Sequence, residues 1–280
     1  MKRVVITADD FGLSEAVNEG IEQAHRDGIL TSASLMMGGP AVEDAVRRAR
    51  RLPRLRVGLH LVVIEGPAVL PRRRIPDLVD DAGWFPSDQL ALGVRYFFRL
   101  GIRRQLAAEI RAQFGAFAAT GLALDHADAH KHMHLHPTVG AMMLAIGREF
   151  QLRAVRVPRE PTGVMAACGM APSAGARAMA AWSGVFRRQA RRAGMLVNDS
   201  VFGLAWSGAM TEARLLQLLP LLPAGLSEIY FHPAAGRDAL LDRLMPTYRH
   251  ADELAALLSP AVRQAAAGVR LAGYADFGAG

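Results

Sequence analysis

The sequence predicts an α/β fold: an irregular (β/α) barrel of seven or eight mainly parallel strands carrying a helical insertion. Three observations lead there. Short apolar or β-branched runs alternate with longer helical patterns along the chain, as parallel strands joined by helices require. Polar, chemistry-bearing residues recur at the ends of those runs, where barrel enzymes place their sites. No Gly-x-Gly-x-x-Gly follows the first run, and Gly38-Gly39-Pro40 is too short for a phosphate loop, which argues against a doubly wound nucleotide-binding sheet.

Taken in order, residues 3–8 read as a strand, and Ser14 is placed to cap a helix over 14–27. Residues 31–36 form the next strand, 41–51 a helix, and 56–63 a strand apolar enough to be buried. After Ile64 the pattern weakens, and Pro67, Pro71, Pro76 and Pro86 mark a long excursion before a helix at 103–119. A strand at 122–127, a helix at 138–150 and a strand at 153–157 follow. Residues 160–209, rich in Ala, Met and Gly, read as an insertion holding a helix over 174–193. The alternation resumes with a helix at 211–219, a strand at 226–231, helices at 251–258 and 261–267, and a short strand at 269–271. Nothing marks a linker or an internal repeat, so residues 1–280 are expected to form one domain.

The 280 residues are 51% hydrophobic and 21% charged, enough for a sizeable core, which excludes a disordered or disulfide-stapled chain. Cys168 is the single cysteine, and Asp9-Asp10 arrives too early for a signal peptide's apolar run, so a cytoplasmic location is expected. The longest apolar stretch, 215–226, is broken by Pro220 and Pro223, so no bilayer span is expected. The net charge of +7 comes almost wholly from arginine, lysine standing only at 2 and 131. Arginine clusters at 47–51, 72–74 and 187–192 read as solvated helix faces or as a surface for anionic lipid. No aromatic stacking platform is interleaved with them, so a nucleic-acid partner is not expected.

The strongest chemical signal is the segment 126–137, which places five of nine histidines at even positions together with Asp128. On an extended chain these residues share one face. Eleven residues are too many for one barrel strand, so the strand should end near His126 or Asp128, with Pro137 opening the next helix. Five histidines and a carboxylate at a strand's C-terminal end point to a metal site. Asp9-Asp10 follows the first strand, and His60 ends the strand containing Gly58-Leu59-His60-Leu61. Taken alone, the aspartates suit a helix cap and His60 a buried structural histidine; their shared position beside the histidine cluster favours chemistry. Adjacent buried carboxylates repel unless a cation or an arginine is present. A mixed Asp/His set suits one divalent ion, Zn²⁺ on ligand chemistry, with Mg²⁺, Mn²⁺ or Co²⁺ as alternatives. Two adjacent aspartates can then divide the work, one binding the ion and the other acting as base. Arg156 and His232 close two further strands; an arginine there can hold a carboxylate ionised, and a histidine can protonate a leaving amine.

Thr7-Ala8-Asp9-Asp10-Phe11-Gly12, Gly58-Leu59-His60-Leu61, the segment 126–137 and His232-Pro233, in that order, resemble the YdjC-like carbohydrate deacetylases over essentially the whole chain. The resemblance implies a (β/α) barrel, a divalent metal, and removal of acetyl groups from N-acetylated amino sugars. On the matching positions it implies Asp9 as general base, Asp10, His60 and His130 as metal ligands, and His232 as general acid. Arg156-Val157-Pro158 is similar to a motif whose arginine orients the base in the wider deacetylase group. Residues 27–36 and 130–139 look most like the branch associated with hopanoid biosynthesis, which implies an N-acetylglucosaminyl hopanoid as substrate. The family's usual Gly-Tyr after His232-Pro233 is replaced here by Ala234-Ala235, and Ala129 stands where Ser or Gly is frequent. For such a substrate, Met165, Met170, Met179, Trp182, Val185 and Phe186 are expected to form an apolar lip. Its arginine rim would touch an anionic membrane from the cytoplasmic side; the alternative is an ordinary core-packing helix. Deacetylation of chito-oligosaccharides is the nearest rival activity. A metal-dependent phosphoesterase and a non-catalytic metal or lipid carrier are rivals of other classes.

Overall fold

The computed structural model describes residues 2–171 and 173–278. Eight strands form one parallel sheet: β1 (Lys2–Phe11), β2 (Ser32–Leu35), β3 (Arg56–Leu61), β4 (Leu124–Ala129), β5 (Ala154–Val155), β6 (Leu196–Val197), β7 (Ser200–Phe202) and β8 (Gly225–Phe231). Their order is β6-β5-β4-β3-β2-β1-β8-β7, and a short β9 (Arg270–Leu271) pairs with Arg3 and Val4 of β1. The two edges of this sheet are consecutive in the chain. β6 pairs with β5, β7 pairs with β8, and only Asn198 and Asp199 separate them. Asn198 clips the bend to one neighbour, its side chain bonding both the N–H (2.6 Å) and the carbonyl (2.8 Å) of Val157. Asp199 clips it to the other, accepting from the Leu226 N–H at 3.0 Å. The run 196–202 is thus one bent stave that draws the sheet round into an irregular barrel.

The insertion expected over 160–209 is narrower than that. Helices Thr162–Ala167 and Ala174–Arg192 leave the barrel, whereas 196–202 is part of its wall. Pro172, inside that range, lies outside the described residues. Strands of two and three residues broken by Asn-Asp are too short to show alternation. The excursion after Ile64 holds a helix, Gln89–Phe98, that the sequence pattern does not announce; it buries only Leu92 and Tyr96. No described helix is long and apolar enough to cross a membrane.

Period-two alternation sorts the strand side chains into two environments. Val4, Ile6 and Ala8 of β1, Leu59 of β3, Ala127 of β4 and Phe231 of β8 face the helices and belong to the main apolar core. The opposite face looks into the barrel, where only a small plug is apolar, made of Val5, Ala154, Leu226 and Tyr274. Above the plug the interior is polar: Thr7, Ser34, His60, His126, Asp128, Arg156 and Glu228 are all buried. Small wall residues make room for the large ones. At Gly58 an added Cβ would lie 2.4 Å from the ring of His126, which is itself tied to Ser34 (3.0 Å) and Asp125 (3.0 Å).

Ser14 caps the first helix, accepting from the Val17 N–H at 3.3 Å, so the cap role is not filled by Asp9 or Asp10. Gly58→Ala is expected to destabilise the fold by about 1–3 kcal/mol through overpacking against a pinned ring. Gly115→Ala, in the helix Leu100–Ala119 with nothing within 4 Å, is expected to be stabilising by up to about 1 kcal/mol. Thermal and urea denaturation of the two variants checks both signs.

Candidate active site

The C-terminal ends of the strands open into a pocket of about 220 Å³ lined by Asp9, Asp10, His60, His130, Tyr230 and His232, among others. All the residues expected to carry chemistry converge here; Arg156 alone lies beneath the floor, fully buried. In a regular strand neighbouring side chains point to opposite faces, so Asp9 and Asp10 should part company. They do not, because β1 bulges: Ala8 opposes Ala33 and Phe11 opposes Leu35, three steps against two. Asp10 adopts a left-handed backbone (φ 63°), which turns its carboxylate into the pocket beside that of Asp9. Glu65, Lys131 and His132 are left-handed too, so four of the five described non-glycine residues with positive φ line this pocket. Strain of this kind gathers where function over-determines the backbone.

Asp10 Oδ1 lies 3.4 Å from His60 Nε2 and 3.3 Å from His130 Nδ1, and the two nitrogens are 3.4 Å apart. Both Asp10 oxygens are buried without a hydrogen-bond partner. Three donor atoms in so even a triangle suit a tetrahedral ion, whose bonds of about 2.0–2.1 Å separate its ligands by about 3.3–3.4 Å. His60 is pre-set for the task. Its Nδ1 pairs with Asp128 Oδ1 at 2.8 Å, which leaves the Nε2 lone pair aimed at Asp10 and His130. Burial opposes ionisation of Asp10, but the facing imidazoles of His130 and His60 outweigh it and hold its carboxyl well below the usual range. The residues present therefore fit a single divalent cation held by Asp10, His60 and His130.

Asp9 is held differently. Arg156 donates to both of its oxygens at 2.7 Å, a fork-to-fork pair in a dry setting. The same guanidinium reaches Asp128 Oδ2 at 2.7 Å and Glu228 Oε1 at 2.8 Å, and it lies 4.9 Å from the centre of the Tyr230 ring. Glu228 is fixed in turn by Thr7 (2.7 Å) and the Tyr274 hydroxyl (2.5 Å). Glu228 is not among the site residues expected from the sequence, and Asp128 is expected only as the carboxylate of the histidine cluster, with no role of its own. The even-position pattern marks Asp128 as facing the cluster, but nothing local in Gly-Leu-Ser-Glu-Ile distinguishes Glu228 from any strand carboxylate.

His232 sits across the pocket with Nδ1 unpartnered. Burial lowers its pKa, against the charges of Asp10 and Asp9, so the resting ring favours the neutral form. Its backbone N–H donates to Glu253, whose carboxyl is pushed up to about 7 by burial. The five clustered histidines separate. His130 joins Asp10 and His60, and His132 lines the pocket with its ring 5.6 Å from that of Tyr230. His126 bonds Ser34 inside the barrel, His134 packs on Phe186, and His136 precedes the helix Pro137–Glu149. Of the expected lip, Met179, Trp182 and Val185 face solvent, whereas Met165 and Phe186 are core residues.

Fold and site together define a class: a parallel (β/α) barrel with a carboxylate–imidazole centre and a separate arginine-clamped aspartate at the strand C-termini. Within that class the chain belongs to the YdjC-like protein family, whose pattern it matches over residues 3–268. It is 30% identical to a carbohydrate deacetylase of Geobacillus stearothermophilus over 277 residues, 98% of this chain and 97% of that one. It is 39% identical to a carbohydrate deacetylase of Brevibacillus brevis over 156 residues, 56% of this chain and 59% of that one. A crystal structure of an Enterococcus faecalis protein, provisionally named for cellobiose-phosphate cleavage, superposes with a TM-score of 0.76 at 26% identity, covering 99% of this chain and 98% of that one.

Removing one of the triad is expected to abolish stoichiometric metal binding: Asp10→Ala and His60→Ala should emerge from metal loading and dialysis without bound ion. Asp128→Asn, which leaves the ligands in place but weakens the partner of His60 and removes one of the carboxylates facing Arg156, should weaken metal affinity by about 10–100-fold. Titration calorimetry with Zn²⁺ and Mn²⁺ measures both effects.

Proposed function

We propose that this protein is a metal-dependent carbohydrate N-deacetylase, hydrolysing an acetamide to a free amine and acetate. The observation that carries the reading is the division of two adjacent aspartates: Asp9 clamped by Arg156, Asp10 grouped with two imidazoles. The carbohydrate deacetylases named above support it.

Amide hydrolysis needs a water deprotonated, a carbonyl oxygen polarised and an amine protonated. A divalent ion at Asp10, His60 and His130 supplies Lewis acidity toward the carbonyl and lowers the pKa of water. Asp9 is the base. Arg156 occupies one acceptor position on each of its oxygens, orients the carboxylate, and leaves lone pairs on the pocket side to take the water's proton. His232 faces the same space as a neutral imidazole that takes up a proton when substrate binds and delivers it to the departing nitrogen. Tyr230 walls the pocket between them.

The finer reading is an N-acetylglucosaminyl hopanoid as substrate, converted to its glucosaminyl form. Its support is the resemblance of residues 27–36 and 130–139 together with a cavity of about 380 Å³ lined by Met165, Met170, Met179 and Leu204. Leu204 and Ala205 line that cavity, together with Glu160 and Thr162, while Ser207 lines the catalytic pocket, so one short loop lies between the sugar chemistry and a largely but not wholly apolar cavity. Chito-oligosaccharides, which carry the same acetamide on a sugar, are the second reading.

Protein supplied with Zn²⁺ is expected to release acetate from the acetylglucosaminyl hopanoid faster than from diacetylchitobiose, with product mass confirming loss of one acetyl group. Asp9→Asn should lower kcat by about 10²–10⁴-fold while its metal content stays that of the wild type. Phosphate release from a sugar phosphate without acetate release from either amide would assign the site to a phosphoesterase instead.

A further inference from the structure

Nine large hydrophobic side chains are exposed among the described residues, and eight of them lie on two segments. Leu90, Val94, Phe97, Phe98 and Leu100 belong to the helix Gln89–Phe98 and its junction with the next; Met179, Trp182 and Val185 belong to the helix Ala174–Arg192. Leu90 is 80% exposed, Phe98 73% and Leu100 68%, so these are not core residues with a visible edge. The two segments meet at His136. The Phe97 ring lies 6.2 Å from it on one side, and on the other a small cavity is lined by His136, Trp182 and Val185. The Trp182 indole N–H donates to the Leu135 carbonyl at 2.7 Å, which holds the second helix against that junction.

The charge on this face is mostly positive, with Asp199 as the acidic partner of Arg187 and Arg191. Residues 89–104 contain Arg95, Arg99, Arg103 and Arg104 and no acidic residue; residues 161–198 contain five arginines and no acidic residue. Arg188 and Arg192 follow Val185 by about one and two helical turns, and both are exposed. Exposed large apolar side chains gathered on two adjoining helices mark an interaction site. We infer that these two helices form a docking surface for an anionic lipid bilayer, their apolar side chains entering the interface and their arginines meeting lipid phosphates. A second copy fits poorly, because a two-fold contact would bring the same arginines face to face. Nucleic acid fits poorly as well, since Leu90, Val94, Leu100 and Val185 have no partner on a phosphate backbone.

The inference does not rest on the proposed catalysis, and vesicle flotation of the full chain tests it. The protein is expected to float with phosphatidylcholine vesicles containing phosphatidylglycerol and to stay unbound with phosphatidylcholine alone. The double variants Leu90→Ser/Phe98→Ser and Arg188→Glu/Arg192→Glu, all at exposed positions, should each lower the bound fraction about tenfold with an unchanged melting temperature. Asp9→Asn should float as the wild type does, which separates this outcome from any failure of the catalytic assignment. Absence of flotation, equal flotation with both vesicle types, or binding unaffected by either double variant would overturn the inference. So would a lipid-free dimer that Leu90→Ser/Phe98→Ser dissociates, which would give the face to a second copy.

Discussion

The guanidinium of Arg156 governs the interior of this barrel. It is fully buried and bonded to Asp9, Asp128 and Glu228, carboxylates delivered by three different strands. Taking such charges out of water is costly, and the cost is offset only when the geometry satisfies nearly every donor and acceptor. That requirement reaches far into the fold. β1, β4 and β8 must keep the registers that bring their carboxylates to one point, Gly58 must stay small so that the His126 ring has room, and Ser34 must remain to bond His126 and Asp128. An apolar barrel core would tolerate a slipped strand with a loss of packing; this one would leave a buried carboxylate without its cation.

The same arrangement separates two chemically identical residues. Asp9 and Asp10 are neighbours in the chain, yet one has its charge balanced by a permanent cation and the other has only imidazoles facing it. A carboxylate already balanced by arginine has little to gain from a metal and stays free to accept a proton. A carboxylate with two unpartnered oxygens beside two imidazole nitrogens is a ligand in waiting. The bulge and the left-handed Asp10 backbone are therefore the local devices by which one strand end serves two roles.

Much of this is legible in the amino-acid sequence, and the reasons are physical. Alternating runs mark β1, β3 and β8 because a strand buried on both faces needs continuous apolar or β-branched residues on the helix side. The even spacing of His126, Asp128 and His130 is meaningful because β4 extends through Ala129: His126 and Asp128 are buried in the barrel interior, and His130 lines the pocket above them. Beyond that point the pattern misleads: left-handed Lys131 and His132 end the extended geometry, so His132, His134 and His136 leave the face they would share on a strand. Glu228 and the stave 196–202 carry no local signal, since the first takes its meaning from partners 46 or more residues away and the second from a bend fixed by two side chains. The helix Gln89–Phe98 is hidden for another reason: its apolar residues are spread around the axis rather than gathered on a core-facing stripe.

Charge is where position changes the meaning of composition most. The arginine clusters at 47–51 and 187–192 look alike as sequence, and both are readable as solvated faces or as a lipid surface. Their surroundings differ. Arg48 bonds Asp44 at 2.7 Å and also pairs with Glu22, which Arg51 approaches at 3.8 Å, so that first cluster is neutralised between two helices. In the second, Asp199 is the acidic partner of both Arg187 and Arg191, and exposed aromatic and aliphatic side chains lie one and two turns away. An excess of +7 spread evenly would say little about partners. Concentrated beside exposed hydrophobic side chains, while the interior carboxylates are balanced by Arg156, it gives one flank of the molecule a cationic character that the catalytic pocket does not share.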